Sequence, residues 1–198
     1  MSGITERVII PVAGGVEDWK EQLKFFLQSL KEQPGYLRTR WGPWSEDMQK
    51  LDLLIGWENA EACETWKESH GFAQAMSQFQ PVMSGQATTY FVKFVPYAPK
   101  EVIGSPIVEV LTYANCTVPE DQMRATAEKA KALAGCNGVA SGYSTGTSVN
   151  GGKVFVAVIG WNGMEASKNA VKMAYQESGQ LEVHHVNFNF PIKGFRGL

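Results

Sequence analysis

One stretch of this 198-residue chain returns 104 positions later, and this repetition limits the possible folds more than any other feature. Residues 53–66 are LLIGWENAEACETW, and residues 157–170 are AVIGWNGMEASKNA. The letters IGW and EA stand at the same places in both copies, so that Trp57 corresponds to Trp161. A single offset for two separated matches indicates an internal duplication. Each copy has the pattern of a strand that leads into a helix.

The segments around the two copies follow the same order of elements. In the first half, strands are predicted at 7–12, 36–41, 51–57 and 88–95, with amphipathic helices at 18–31 and about 59–79. In the second half, strands are predicted at 107–113, 138–145, 153–161 and 181–190, with helices ending near 134 and beginning after 162. Each half is therefore predicted to be a βαββαβ unit.

A stretch rich in proline separates the two units. Residues 96–106 are PYAPKEVIGSP, whose three prolines and one glycine are typical of a linker. We therefore expect a first repeat at 1–97, a linker at 98–106 and a second repeat at 107–198. Two such sheets in one chain can bury their free faces against each other.

Composition excludes several classes of partner. The formal net charge of −2 gives no basic field for nucleic acid, and no apolar stretch approaches the roughly 18 residues that span a bilayer. The three cysteines are odd in number and lack CxxC spacing, which favours reduced thiols and a cytoplasmic protein. Motifs for zinc, nucleoside triphosphates or dinucleotides are absent from the sequence, so no cofactor is predicted.

The duplicated IGW-x-x-x-EA junction resembles that of the dimeric α+β barrel superfamily. Within this superfamily the chain is most similar to antibiotic-biosynthesis-monooxygenase-like domains, in the tandem form common among fungal proteins. VFVAVIGWNGMEA at 154–166 and LEVHHVNF at 181–188 carry the closest similarity. The resemblance implies an α+β fold in which two ferredoxin-like repeats form a barrel within one chain. It also implies a pocket in each repeat between sheet and helices, and either a monomeric pseudo-dimer or a homodimer.

The chain departs from the resembled family in two places. Related fungal repeats often carry a histidine after the EA pair, where this chain has Cys63 and Ser167. The second repeat is also shorter, because 25 positions separate Trp161 from Val186 whereas 33 separate Trp57 from Tyr90. A shortened second helix favours the first repeat as the place of a closed pocket.

The helix predicted at 59–79 carries most of the candidate site residues. Spacings of three and four place Trp66, His70 and Met76 on one face, which would cover the sheet and line the pocket. His70 is a candidate general base or haem ligand, and the alternative is a histidine on the helix surface. Of these two roles for His70, binding of haem iron is the less favoured. Phe79 near the end of the same helix is expected to contact a substrate.

The strands supply the remaining candidates. Trp41 and Tyr36 are predicted to offer flat walls to an aromatic substrate, and Arg38 to hold or stabilise an anionic oxygen, with a surface ion pair as its alternative. Tyr90 is predicted to face the same way as Val92. Its hydroxyl is a candidate catalytic group.

The resemblance and these residues together predict a small-molecule enzyme of secondary metabolism. Its substrate would be a hydrophobic aromatic or polyketide-like metabolite, transformed by acid–base chemistry without a cofactor, in the manner of a monooxygenase, cyclase or isomerase. The alternative is a non-catalytic, stress-type or ligand-binding α+β barrel. An enclosed first-repeat cavity that contains His70 favours catalysis, and a solidly packed interior argues against it.

Overall fold

The computed structural model describes residues 3–97, 99–145, 153–177 and 180–195. Its strands are β1 (Ile4–Pro11), β2 (Tyr36–Pro43), β3 (Lys50–Trp57), β4 (Thr88–Val92), β5 (Ile107–Tyr113), β6 (Cys136–Thr145), β7 (Phe155–Trp161) and β8 (Leu181–Val186). Its α-helices are α1 (Val16–Lys31), α2 (Ala60–Lys67), α3 (His70–Phe79), α4 (Lys100–Ile103), α5 (Glu120–Glu128) and α6 (Met164–Asn169). None of the helices in these ranges is long and apolar enough to cross a membrane.

Helix α1 forms where the spacing of its apolar residues predicts it. The carboxylate of Asp18 accepts the backbone N–H of Gly15 at 2.8 Å, which satisfies a donor left unpaired at the helix start. One stripe of the helix is buried against the first sheet, and it comprises Trp19, Leu23, Phe26, Leu27 and Leu30. This burial fixes the helix on the outer face of β1 to β4.

The single helix predicted at 59–79 is wrong, because the segment forms two helices. Helix α2 ends at Lys67, and α3 begins at His70. The Ser69 hydroxyl accepts the backbone N–H of Phe72 at 3.1 Å and caps the new helix. A serine that bonds the backbone in this way competes with continuation of the preceding helix. Residues of α2 and α3 therefore do not share one continuous face.

All eight strands lie in one sheet that closes on itself. The order is β2-β3-β1-β4-β6-β7-β5-β8, so that each repeat contributes four neighbouring strands. At one junction β4 pairs with β6 through Val92 and Ser144. At the other junction Trp44 pairs with Val186, and Ser45 N–H donates to the carbonyl of His185 at 2.7 Å. The last strand of each repeat thus meets the second strand of the other, and the predicted intrachain barrel is confirmed.

A glycine lies at each of these two junctions. A Cβ atom on Gly42 would stand 2.2 Å from the carbonyl oxygen of Asn187, and one on Gly142 would stand 2.1 Å from that of Lys93. Side chains at these positions are excluded because backbone from the other repeat passes directly over them.

Apolar side chains fill three layers of the molecule. The first layer lies between the first-repeat strands and α1 to α3, and the third lies between the second-repeat strands and α5 and α6. The middle layer is the barrel interior, and its buried members include Leu54, Val92, Phe94, Val108, Val110, Val156, Val158 and Val186. The α+β architecture of two ferredoxin-like repeats is therefore confirmed.

The predicted linker contains the short helix α4. Its Val102 is buried against the barrel, in the same cluster as Val158. Ala98 lies outside the described residues. The boundaries of the two repeats at 97 and 107 stay a prediction.

Candidate functional site

The space between α2, α3 and the first sheet is filled by side chains, so the cavity expected there is replaced by a packed core. Trp66 is 2% exposed, and its ring centroid lies 5.4 Å from that of Phe26, 4.9 Å from Phe72 and 5.7 Å from Trp57. Phe79 is fully buried in the same cluster, and Met76 packs against it. Aromatic rings at these distances leave no room for a substrate among them, and this packing argues against catalysis in a first-repeat pocket between sheet and helices.

Two strand residues predicted to contact substrate also belong to this core. Trp41 packs edge-to-face against Trp19 at 6.2 Å. Tyr36 packs in the same way against Trp57 at 6.0 Å, and its hydroxyl donates to Thr39 at 3.1 Å. A register irregularity after Tyr36 places it on the helix side of the sheet, whereas strict alternation predicts that it faces the same way as Arg38.

The structure does not bring the three predicted catalytic residues together. His70 is exposed at the first position of α3. The guanidinium carbon of Arg38 lies 4.8 Å from the ring centroid of Tyr97, in a cation–π contact. Tyr90 lies inside the barrel. Within the described ranges no contact joins these side chains, and no cluster of histidine, cysteine, aspartate or glutamate fits a metal ion.

A buried ion pair occupies the barrel interior beside Tyr90. Val8 on β1 faces the helices, so its neighbour Arg7 faces the interior, where it is 0% exposed. Arg7 donates from Nε to Asp52 Oδ1 at 3.1 Å and from Nη2 to Asp52 Oδ2 at 2.6 Å. Burial by itself lowers the pKa of Arg7, but Asp52 and Tyr90 raise it well above its ordinary value. The guanidinium is therefore a permanent cation inside the barrel.

Arg7 also connects the two repeats. Its Nη1 donates to Tyr90 Oη at 2.8 Å and to Thr112 Oγ1 at 2.7 Å. As the alternation of β4 predicts, Tyr90 faces the interior together with Val92. Burial raises the pKa of Tyr90, while the charge of Arg7 opposes that rise. Because the phenol stays protonated at neutral pH, Tyr90 is suited to donate a hydrogen bond and is unsuited to accept a proton.

Trp44 and His184 complete this polar group. Trp44 Nε1 donates to Asp52 Oδ2 at 3.2 Å, and its ring stacks on His184 with 3.3 Å between centroids and 12° between planes. Burial lowers the pKa of His184, against the opposing effect of Glu182, so the imidazole is neutral at pH 7. His184 Nε2 lies 4.0 Å from Glu182 Oε2 and has no hydrogen-bond partner within the described ranges.

A cavity of about 430 Å³ opens at the end of the barrel next to these residues. Its lining comprises Ile9, Pro11, Trp44, Lys50, Gln86, Thr88, Tyr90, Thr112, Ala114, Asn115, Val154 and Glu182. Three of the lining residues bond the buried ion pair, namely Trp44, Tyr90 and Thr112. A larger hollow of about 550 Å³ beside Tyr143 is formed mainly by the surface loop 115–120. The barrel-end cavity is the candidate site because it combines apolar walls with a buried cation.

Comparison with known proteins gives matches in structure alone. No protein-family model matches the chain, and no curated protein does. An anthrone oxidase-like protein is 10% identical, with a TM-score of 0.70 over 94% of this chain and 91% of that chain. A "putative monooxygenase" from Lactobacillus acidophilus NCFM is 10% identical, with a TM-score of 0.55 over 94% of this chain and 93% of that one. The chain shares the overall fold of these two proteins.

A third match reaches only one repeat of the α+β barrel. It is to SnoaB, a cofactor-independent oxygenase from Streptomyces nogalater, at 12% identity and a TM-score of 0.41. This match covers 46% of this chain and 92% of that chain.

One feature of the sequence indicates the polar interior of the α+β barrel, namely charged residues within or beside apolar strand segments. Asp52 interrupts the apolar strand LDLLIGW, and Arg7 precedes the apolar run VII. A charge inside a strand otherwise buried on both faces needs a partner. The partner was not predicted because the two residues are 45 positions apart and meet only through the register of β1 and β3.

His184 makes the stability of the barrel depend on pH. Its pKa is lowered in the folded state, so acidification through about pH 6.5 protonates the unfolded chain first and destabilises the barrel. Arg7, Asp52, Glu46 and Glu182 act on this imidazole. Urea unfolding gives the free energy of unfolding at pH 7.5 and at pH 5. We expect this free energy to fall more between the two pH values in the wild type than in His184→Gln. Equal losses in the two proteins would contradict the prediction.

Proposed function

We propose that this chain is a small-molecule enzyme that oxygenates a planar, phenolic or polyketide-like substrate in the barrel-end cavity without a cofactor. The proposal rests on one observation: the buried Arg7 donates to the hydroxyl of Tyr90, a residue that lines the cavity. A substrate oxygen that receives the Tyr90 proton in a hydrogen bond is thereby linked to a buried cation. Negative charge that develops on this oxygen is stabilised without rearrangement of the site.

The cavity has the size and walls for such a substrate. Its volume of about 430 Å³ lies in the ordinary range for small-molecule sites. Trp44 lines it and is held in place by its bond to Asp52 and by the stacked ring of His184. A rigid indole favours a flat aromatic ligand, which can lie against it with little loss of conformational entropy.

The side chains divide the acid–base work between them. Glu182 carries the carboxylate of the cavity wall and is the group that accepts a proton from the substrate carbon or hydroxyl. The neutral His184 lies outside the lining, stacked on Trp44, and holds the indole in place. Tyr90 remains protonated and donates to the resulting enolate or phenolate oxygen. The carbanion adds dioxygen to form a carbon-bound hydroperoxide, whose O–O bond breaks as water is lost, so that one oxygen atom stays on the substrate as a ketone and the other leaves as water. A hydroxylated anthrone suits this scheme, and the fold similarity to an anthrone oxidase-like protein supports the choice of substrate class.

Replacing Tyr90 with phenylalanine tests the proposal. With a dihydroxyanthrone as substrate, we expect the wild type to consume oxygen and Tyr90→Phe to lower the turnover number about 100-fold, because one donor to the anionic oxygen is lost. The matched control is Tyr36→Phe, which removes a hydroxyl bonded to Thr39 in the sheet–helix core. Its turnover should equal that of the wild type.

Two results would contradict the proposal in different ways. Equal turnover in Tyr90→Phe and Tyr36→Phe would remove Tyr90 from the chemistry. Tight binding of the anthrone without oxygen consumption would favour the non-catalytic, ligand-binding alternative. An oxygen electrode measures oxygen consumption, and equilibrium dialysis of the anthrone measures its binding.

A further inference from the structure

Each repeat holds a buried glutamate between its sheet and its helices. In the first repeat, Glu6 accepts from Trp57 Nε1 at 3.2 Å and lies 2.9 Å from Lys67 Nζ. In the second repeat, Glu109 is fully buried and accepts from Trp161 Nε1 at 3.0 Å. The two glutamates occupy equivalent positions, which makes the first repeat an internal reference for the second.

The residues around the two glutamates differ in a way that changes their chemistry. The Sγ of Cys63 lies 3.2 Å from Glu6, and Phe91 stands opposite Glu6 on β4. In the second repeat, Ser167 replaces the cysteine, and His185 stands opposite Glu109 on β8. Only the second repeat therefore places a hydroxyl next to an imidazole.

Ser167, His185 and Glu46 form a continuous hydrogen-bonded chain. Ser167 Oγ lies 2.9 Å from His185 Nε2, and His185 Nδ1 lies 2.5 Å from Glu46 Oε1. Glu46 belongs to the loop between β2 and β3, and its Oε2 also accepts the backbone N–H of His185 at 3.0 Å. The carboxylate fixes the imidazole with hydrogen on Nδ1, which leaves Nε2 to accept the serine proton.

A lysine completes the group. Lys172 Nζ lies 3.0 Å from Ser167 Oγ and 2.7 Å from Glu109 Oε1. A cation at this distance stabilises negative charge on the serine oxygen or on an oxygen bonded to the same carbon. Hydroxyl, base, orienting carboxylate and positive charge thus stand in the order that nucleophilic catalysis requires.

We propose that Ser167, His185 and Glu46 form a second reactive site, separate from the barrel-end cavity, in which Ser167 attacks small carboxylic esters. Ser167 Oγ bonds to the carbonyl carbon while its proton passes to His185 Nε2. The carbon–oxygen bond to the alcohol breaks, and His185 returns the proton to the departing oxygen. Water then attacks the acyl-serine with the same histidine as base, so that ester and water yield acid and alcohol.

Burial limits the size of the acyl group. The Ser167 residue is 0% exposed, whereas the Lys172 side chain that lies over it is 32% exposed. Access to Ser167 therefore requires displacement of Lys172 from its bonds to Glu109 and Ser167, and an acetyl group needs less displacement than a longer acyl chain. The site therefore takes short-chain esters with good leaving groups.

Incubation of the full-length protein with p-nitrophenyl acetate, followed by peptide mass spectrometry, tests the site. We expect one acetyl group on Ser167 and no such adduct in Ser167→Ala. In His185→Gln, acetylation of Ser167 should be at least 100-fold slower. Ser105→Ala is the matched control, because Ser105 is also buried but bonds Asn137 and the backbone of Glu101. It should leave acetylation of Ser167 unchanged. Acetyl groups on lysines alone, or on no residue, overturn the proposal.

Glu46 is a positioning residue that acts through His185, and its variants give an independent readout. Its side chain is 44% exposed, so substitutions there are expected to fold. Glu46→Gln should slow acetylation of Ser167 about tenfold, because His185 loses the carboxylate that orients its ring. Glu46→Asp should restore part of the rate, which a merely structural role of Glu46 would not predict. An unchanged rate of Ser167 acetylation in Glu46→Gln overturns the assigned chain of three residues.

Discussion

Replacing Arg7 with alanine is expected to destabilise the protein by about 3–5 kcal/mol, because Asp52 is left buried without its cation. Both side chains of this pair are 0% exposed. The substitution also removes the donors to Tyr90 and Thr112. Urea unfolding followed by tryptophan fluorescence gives the free energy of unfolding directly.

Two further variants show whether the effect is the cost of an unpaired charge. Lys20→Ala breaks the ion pair with the exposed Glu17 and should cost no more than about 0.5 kcal/mol. The double variant Arg7→Leu, Asp52→Leu should recover much of the loss, since apolar side chains replace both charges. If it is no more stable than Arg7→Ala, then the unpaired carboxylate is not the cause.

Replacing Gly142 with alanine is expected to cost about 3 kcal/mol or more by forcing apart the junction between β4 and β6. The new Cβ would stand 2.1 Å from the carbonyl oxygen of Lys93, and backbone cannot give way as a side chain does. The adjoining ladder includes the bond from Val95 N–H to the Ser141 carbonyl at 2.9 Å, which the shift would weaken.

Gly163→Ala is the matched control for this substitution. No atom lies within 4 Å of a Cβ at Gly163, and its backbone is extended, so the change should be within about 0.5 kcal/mol of neutral. Thermal unfolding of both variants compares them under one condition. Equal melting temperatures would show that the Lys93 segment moves aside at no cost.

The repeat and the alternation of apolar residues carry most of the information about the fold. Residues 154–161, for example, have the continuous apolar run of a buried strand, and the copy of this pattern at 50–57 predicts a second strand of the same design. The break between α2 and α3 was missed because a serine such as Ser69 is common within helices. It ends one only when its hydroxyl finds a backbone N–H.

The candidate site is harder to predict from the sequence than the fold, because its contacts depend on how separate strands pair. The direction of Tyr90 follows from alternation along one strand, but its contact with Arg7 depends on the pairing of β1 with β4. The tryptophans favoured as substrate walls pack in the core, since a large apolar ring gains more by burial than by exposure to a cavity. A functional role for the exposed His70 stays a prediction.

The buried ion pair Arg7–Asp52 occurs in the first repeat and not at the equivalent positions of the second. Such a difference is possible because the two repeats belong to one chain. The positions equivalent to Arg7 and Asp52 in the second repeat are Val110 and Val156, both buried in the barrel interior. Two identical subunits would bring two copies of the charged pair into the same narrow space. Joining the subunits covalently frees each copy to diverge, so that one repeat keeps the buried charges while the other has valines in their place. The asymmetry of the barrel interior is thus a product of the duplicated chain.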